Sequence, residues 1–97
     1  MPTLEVTLKG RVQGVFFRAF TKSFVDKYNL NAPANQITGV IQNLADGDLK
    51  VIFTSDDAGI DTLIPFLLKG PPNAIVKTMK IDILEETISF TSFRILN

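Results

Sequence analysis

The sequence predicts an α+β fold in which two helices cover one face of an antiparallel β-sheet. Apolar residues recur either at every second position, as in a strand, or at every third to fourth position, as in a helix. Along the chain these patterns follow the order strand, helix, strand, strand, helix, strand. Asp46-Gly47 joins the second and third strand patterns, and this dipeptide is a strong hairpin signal. A chain of 97 residues with 45% hydrophobic residues also has the size and core content of one domain. We therefore expect a single domain over residues 1–97.

The first strand is predicted over residues 4–9, where apolar residues alternate to one face: Leu4, Val6 and Leu8. The first helix is predicted from an aromatic stripe at helical spacing, formed by Phe17, Phe20, Phe24 and Tyr28. Polar residues are expected on its other side, Thr21 among them. Residues 29–35 contain Pro33 and have loop composition. Strands are predicted on either side of the hairpin turn, over residues 37–44 and 49–54.

The second helix is predicted to begin near Ser55-Asp56-Asp57, which can cap its first turn, and to end at Gly70. Pro65 lies inside the pattern, so we expect it to kink the helix or delay its start. A long strand over residues 74–84 and a short one over residues 90–96 complete the chain. With right-handed crossovers this order gives a ferredoxin-like two-layer sandwich, βαββαβ, with a short extra C-terminal strand.

Composition excludes several functions. Ten basic and ten acidic residues cancel, which argues against nucleic acid as a partner. No apolar run approaches the roughly 20 residues that span a bilayer, so no membrane association is expected. The chain has no Cys and no His, which removes thiolate and imidazole as nucleophiles, bases and metal ligands. We expect no metal and no cofactor, and the absence of Cys is compatible with the cytoplasm.

The strongest functional signal is the stretch from Gly10 to Arg18, between the first strand and the first helix. Gly14 can adopt a positive φ, which lets successive backbone N–H groups converge on one point. The first N–H groups of a helix are free and carry partial positive charge. Arg18 adds a fork of donors beside them. The sequence therefore predicts a phosphate site formed by Arg18 and the backbone N–H groups of residues 14–18: Gly14, Val15, Phe16, Phe17 and Arg18.

Element order also predicts what faces this site. The first and second strands of the predicted sheet run in the same direction, so their C-terminal ends lie at one edge. Asn43 is near the end of the second strand and should therefore lie close to Arg18.

These residues resemble those of the acylphosphatase family. Residues 10–18, GRVQGVFFR, are similar to its signature G-R-V-Q-G-V-x-F-R. Residues 39–47, GVIQNLADG, resemble its second block, G-x-V-x-N-x-x-D-G, with Ile41 in the Val position. The resemblance covers nearly the whole chain. It implies a ferredoxin-like enzyme that hydrolyses acyl phosphates to a carboxylate and inorganic phosphate. Arg18 would bind the phosphate and Asn43 would position the attacking water, with no metal or cofactor. A cytoplasmic monomer acting on a small acyl phosphate is the corresponding expectation.

The sequence departs from the family pattern in four places. The connection before Asn43 is longer, with residues 31–36 as the insertion, and by topology it lies at the edge opposite the site. Val40 replaces a common Trp or Tyr, which should alter packing beside Asn43. Pro65 interrupts the second helix, and a glycine common after the third strand is absent at Ser55-Asp56.

Other interpretations remain open. The glycines alone could form an ordinary tight turn, Arg18 could pair with a surface carboxylate, and Asn43 could belong to hairpin chemistry. The main functional alternative is a non-catalytic ferredoxin-like module that binds an anion or a ligand. Turnover of an acyl phosphate would distinguish the enzyme from that module.

Overall fold

The computed structural model describes residues 1–97, and its elements follow the predicted order. They are β1 (Thr3–Arg11), α1 (Phe17–Leu30), β2 (Thr38–Asn43), β3 (Leu49–Thr54), α2 (Asp57–Lys69), β4 (Ile75–Ile83) and β5 (Phe93–Leu96). The last strand begins at Phe93, later than the predicted start at residue 90.

The five strands form one sheet in the order β4-β1-β3-β2-β5. β3 pairs antiparallel with both β1 and β2, and β4 pairs antiparallel with β1. These four strands and the two helices confirm the ferredoxin-like sandwich. The extra strand β5 pairs parallel with β2, so the complete sheet is mixed.

Strand direction determines where the candidate residues lie. β1 and β2 are both antiparallel to β3, so they point the same way. Their last residues, Arg11 and Asn43, therefore lie where the two strands end, on the same side of the molecule. We call this end of the strands the site edge. Residues 31–37 connect the end of α1 to the start of β2 and therefore lie at the opposite edge. There Asn29 fastens the connection, since its side chain bonds both the N–H and the carbonyl of Ile37 at 2.7 and 2.9 Å.

The core fills the space between the sheet and the helices with 14 buried apolar side chains. The inward residues of β1 alternate as predicted and face inward residues of β3 across the ladder, in the pairs Leu4–Phe53, Val6–Val51 and Leu8–Leu49. Full burial of such a side chain stabilises the fold by about 1.5–3 kcal/mol. β1 is therefore fixed in the interior of the sheet, between β4 and β3, with its C-terminal end directed into the site edge.

α1 is rotated about its axis relative to the prediction. Its buried residues are Phe17, Thr21 and Val25, at spacing i, i+4, i+8. Thr21, expected on the polar side, is fully buried, whereas Phe20 is 40% exposed. The reason is that Phe20 packs against the other helix instead of the sheet: its ring stacks on Phe66 with centroids 5.2 Å apart. The predicted placement of both residues was wrong.

α2 begins and ends as the sequence suggested. The Asp56 carboxylate accepts a hydrogen bond from the Gly59 N–H at 2.9 Å, and Gly70 ends the helix with φ of 67°. Pro65 lies inside the helix and is exposed. The helix starts at Asp57, directly after its cap, so of the two effects expected of Pro65, a kink or a late start, the late start is excluded. An exposed Pro is tolerated because the carbonyl that loses its partner, that of Asp61, also lies on an exposed residue.

Candidate active site

The loop between β1 and α1 presents a row of free backbone donors. Gly14 and Phe16 have φ of 72° and 60°, while Val15 between them does not have a positive φ. Alternating handedness turns successive N–H groups toward the same side, which makes an anion-binding concavity. The N–H groups of residues 14–18 make no hydrogen bond within the chain. We call these five N–H groups the cradle.

Gly14 is required here for its conformation. A Cβ built on it meets no atom within 4 Å, so a side chain would not clash, but φ of 72° disfavours any residue with a Cβ. Phe16 adopts the same region without being glycine, and it is the only such residue in the chain. Strained backbone of this kind is concentrated at functional sites.

Arg18 lies in the first turn of α1 and is half-buried. Its Nη1 donates to the carbonyl oxygen of Leu96 in β5 at 3.0 Å. No carboxylate lies within ion-pair distance of its guanidinium, whereas four other cations in the chain are paired. Arg18 therefore carries an uncompensated positive charge beside the cradle, and the interpretation of a surface ion pair does not hold.

Asn43 is the last residue of β2 and faces the helices, because it pairs with the buried Leu49. Its Oδ1 is buried and has no hydrogen-bond partner. A buried acceptor without a partner lowers the free energy of unfolding by about 1–3 kcal/mol. The Asn43 side chain is therefore unfavourable for stability at this position. Val40, expected to pack beside Asn43, lies on the other face of the sheet opposite Ile52, so that expectation was wrong.

Arg18 and Asn43 line the same pocket, which has a volume of about 410 Å³. Its lining comes from the loop, α1, β2 and β5: Val12, Gln13, Gly14, Phe16, Phe17, Arg18, Ala19, Asn43 and Ile95. No carboxylate is among these residues. Val15 is the one predicted cradle residue that does not line the pocket. The pocket therefore combines one guanidinium, two amides and the other cradle residues in a setting that favours an anion.

Gln13 connects the loop to the hairpin that follows Asn43. Its Nε2 donates to the carbonyl oxygens of Leu44 and Asp48, at 2.8 and 2.9 Å. Nearby, the Asp48 carboxylate accepts a hydrogen bond from Lys9 and thereby raises the pKa of that ammonium group. Both amide hydrogens of Gln13 are thus used to hold two chain segments together.

Sequence reasoning missed the contribution of β5. Ile95 lines the pocket and the Leu96 carbonyl binds Arg18. The alternation over residues 90–96 predicted a strand, but no local pattern specifies which edge a short strand joins. An unpaired edge strand favours further pairing, but β2 and β4 would both be edges of the four-stranded sheet, so this does not select β2.

Two further observations describe the chain as a whole. It contains no group of three or more Asp and Glu side chains arranged to bind a metal ion. Neither helix is both long enough and apolar enough to cross a membrane.

Comparison with known proteins gives consistent results. The profile of the acylphosphatase family matches residues 4–95. An acylphosphatase of Syntrophus aciditrophicus is 36% identical over 98 residues, covering 99% of this chain and 93% of the relative. The structure of an acylphosphatase from Coxiella burnetii superposes with a TM-score of 0.83 at 27% identity, covering 98% of this chain and 92% of that one. The crystal structure of acylphosphatase from Bacillus subtilis gives 0.87 at 22% identity, with full coverage of both chains.

Proposed function

The chain belongs to the acylphosphatase family, and on this premise we propose that it hydrolyses acyl phosphates to a carboxylate and inorganic phosphate. The observation that carries the proposal is that Asn43, Arg18 and the other cradle residues except Val15 line one pocket of about 410 Å³.

In the proposed complex, the cradle and Arg18 bind the phosphoryl oxygens. Charge spreads over these oxygens in the loose transition state of phosphoryl transfer. Donors fixed in advance by the fold stabilise that charge without reorganising. The Arg18 fork remains in place because one of its N–H groups is held by the Leu96 carbonyl.

Asn43 positions the attacking water. Its unpartnered Oδ1 can accept a hydrogen bond from that water and direct the oxygen lone pair toward phosphorus. Positioning is the main requirement, since a loose transition state demands little of the nucleophile. A general base is dispensable, and the chain has no His to provide one.

The reaction balances without any further group. The water oxygen forms a bond to phosphorus while the bond from phosphorus to the acyl oxygen breaks. The dianionic acyl phosphate and water become a carboxylate and a dihydrogen phosphate ion, so both protons of the water end on phosphate. The carboxylate leaves unprotonated because its conjugate acid has a pKa of about 4.

Three further expectations accompany this proposal: one domain over residues 1–97, a monomeric state and a cytoplasmic location. A monomer would suffice for the proposed site, because Arg18, Asn43 and the cradle belong to the same chain. Size-exclusion chromatography with light scattering tests it.

The test of the proposal is release of inorganic phosphate from acetyl phosphate by the purified chain. We expect turnover well above the uncatalysed rate, competitive inhibition by inorganic phosphate, and unchanged turnover after treatment with a chelator. Phosphate binding without turnover would instead support the non-catalytic anion-binding module. The exposed Arg94→Ala and Asn35→Ala variants are matched controls for substitutions of Arg18 and Asn43.

A further inference from the structure

β4 is one of the two outermost strands of the sheet, and it is long and apolar for that position. It has nine residues and pairs with β1 on one side only. Two of its apolar side chains, Ile81 and Ile83, are 43% and 73% exposed. An outermost strand of this length favours pairing with a further strand, unless proline, a bulge or inward-facing charge prevents it.

Only the first part of β4 has such protection. Its pairing with β1 shifts register at Lys77, which makes a bulge there. From residue 78 to residue 83 the pairing is regular and the strand contains no proline. Leu84 continues it, since its N–H donates to the Thr3 carbonyl at 2.9 Å. We call residues 78–84 the open segment.

The free backbone groups of the open segment belong to alternate residues. The Leu84 N–H points toward β1, and in an antiparallel ladder residues that face the neighbouring strand alternate with residues that face away. The N–H and carbonyl groups of Met79, Ile81 and Ile83 therefore point away from the sheet. Their side chains lie on its helix-facing side, because they pair with the inward residues of β1. The same residues thus offer both free backbone groups and apolar side chains.

The open segment is complementary to a second copy of itself. When two copies pair antiparallel about Ile81, this residue faces its own copy and Met79 faces Ile83 of the second copy. Each of these pairs can exchange two hydrogen bonds. On the other face of the sheet, Lys80 lies opposite Asp82 of the second copy, at the closer spacing of pairs that exchange no hydrogen bonds. Hydrogen bonding, apolar contact and charge therefore agree in this register.

Neighbouring registers are less favourable. Centring the pairing on Lys80 would place two ammonium groups opposite each other, and centring it on Asp82 would do the same with two carboxylates. A centre between two residues would place apolar side chains opposite polar ones. The charges of the open segment thus select Ile81 as the centre.

β5, the other outermost strand, does not have this property. It has four residues, and its one charged side chain is that of Arg94. Pairing of β5 with its own copy therefore offers no contact between opposite charges.

We propose that two copies of the chain associate reversibly by antiparallel pairing of their open segments, centred on Ile81. The sheet then continues from one copy into the other across a two-fold axis. The segment is far shorter than the roughly 20–30 residues a side of a stable interface, so we expect a Kd on the order of 10⁻⁴ M. The monomer expected for the proposed function therefore predominates in dilute solution. No residue of the open segment lines the pocket of Arg18 and Asn43, so the contact leaves that pocket accessible.

Sedimentation velocity from about 10 µM to about 1 mM tests the association. The weight-average mass of the wild type should rise to about 1.8 times that of one chain at the upper concentration. Lys80→Glu and Asp82→Lys each place like charges opposite each other, so either variant alone should keep the mass of one chain. An equimolar mixture of the two variants restores both pairs of opposite charge and should associate like the wild type. Arg94→Glu makes the same change of charge on β5 and is the matched control.

Hydrogen exchange measures the register directly. The amides of Met79, Ile81 and Ile83 should exchange about fourfold more slowly at the upper concentration than at the lower one. Those of Lys80 and Asp82 face β1 and should exchange equally at both concentrations. Circular dichroism shows whether each variant is folded.

The proposal is overturned if the wild type keeps the mass of one chain over the whole range. It is also overturned if the wild type associates but the mixture of folded Lys80→Glu and Asp82→Lys does not. Association that is lost in Arg94→Glu and retained in Lys80→Glu would assign the contact to β5 and contradict the proposal as well. None of these measurements depends on turnover, so the proposed function is tested separately.

Discussion

Arg18 and Leu96 are 78 positions apart in sequence, and the Arg18 Nη1 donates to the Leu96 carbonyl oxygen across 3.0 Å. This bond connects the first turn of α1 to the last strand. It holds the guanidinium over the cradle without neutralising it, because a backbone carbonyl carries no formal charge.

Arg18→Ala should lower kcat/KM for acetyl phosphate by at least a hundred- to a thousandfold, the usual cost of one preorganised donor. Arg18→Lys should recover only a small part of this loss, since one ammonium group cannot bind the Leu96 carbonyl and a phosphoryl group with the geometry of a planar fork. Steady-state kinetics measures both. Arg94→Ala, which removes an exposed arginine of β5, should retain wild-type kinetics.

A variant that ends at Leu96 should bind phosphate more weakly. In the shortened chain the Leu96 carbonyl becomes part of a terminal carboxylate, whose negative charge competes with phosphate for Arg18. We expect the inhibition constant of inorganic phosphate to rise about two- to fivefold, as for a partly exposed ion pair. Asn97→Ala retains the carbonyl and should behave like the wild type. Equal inhibition constants in the shortened chain and the wild type would contradict this assignment.

Asn43→Ala should separate activity from stability. We expect kcat to fall about a hundredfold, while the free energy of unfolding stays the same or rises by about 1 kcal/mol because an unsatisfied acceptor is removed. Asn29→Ala is the opposite control: its side chain makes two hydrogen bonds to Ile37 at the far edge. It should lower the free energy of unfolding by about 1–2 kcal/mol and leave kcat unchanged. Kinetics and urea denaturation of the two variants provide the comparison.

Gln13→Met should affect catalysis through position alone, because it adds no charge to the pocket. The thioether cannot donate to the Leu44 and Asp48 carbonyls, so the hairpin after Asn43 shifts relative to the cradle. We expect kcat to fall about ten- to a hundredfold, since small misplacements have effects of this size. The inhibition constant of phosphate should change little, because the cradle itself is intact. A proportional change in both constants would indicate a general structural defect instead.

The sequence was sufficient to predict the fold and the placement of Arg18 and Asn43 at one pocket. Element order and handedness determine strand direction, and strand direction determines that Arg18 and Asn43 meet. Gly14 was identifiable because its backbone conformation is a local property, which a residue type can signal.

Relations between elements were not predictable in the same way. The aromatic stripe of α1 did not determine how the helix is rotated about its own axis. Only the stacking of Phe20 on Phe66 shows that Phe20 faces the other helix. Whether β5 joins the edge of β2 depends on geometry created by the rest of the sheet.

The parallel pairing of β5 with β2 has a consequence for how the molecule responds to heat. β5 is a four-residue strand at the edge of the sheet, and such peripheral segments detach at lower free energy than the centre unfolds. Its fraying releases the Arg18 guanidinium while the core persists. We therefore expect inactivation on warming to precede cooperative melting, and backbone amides of β5 to exchange with solvent ahead of those in β1.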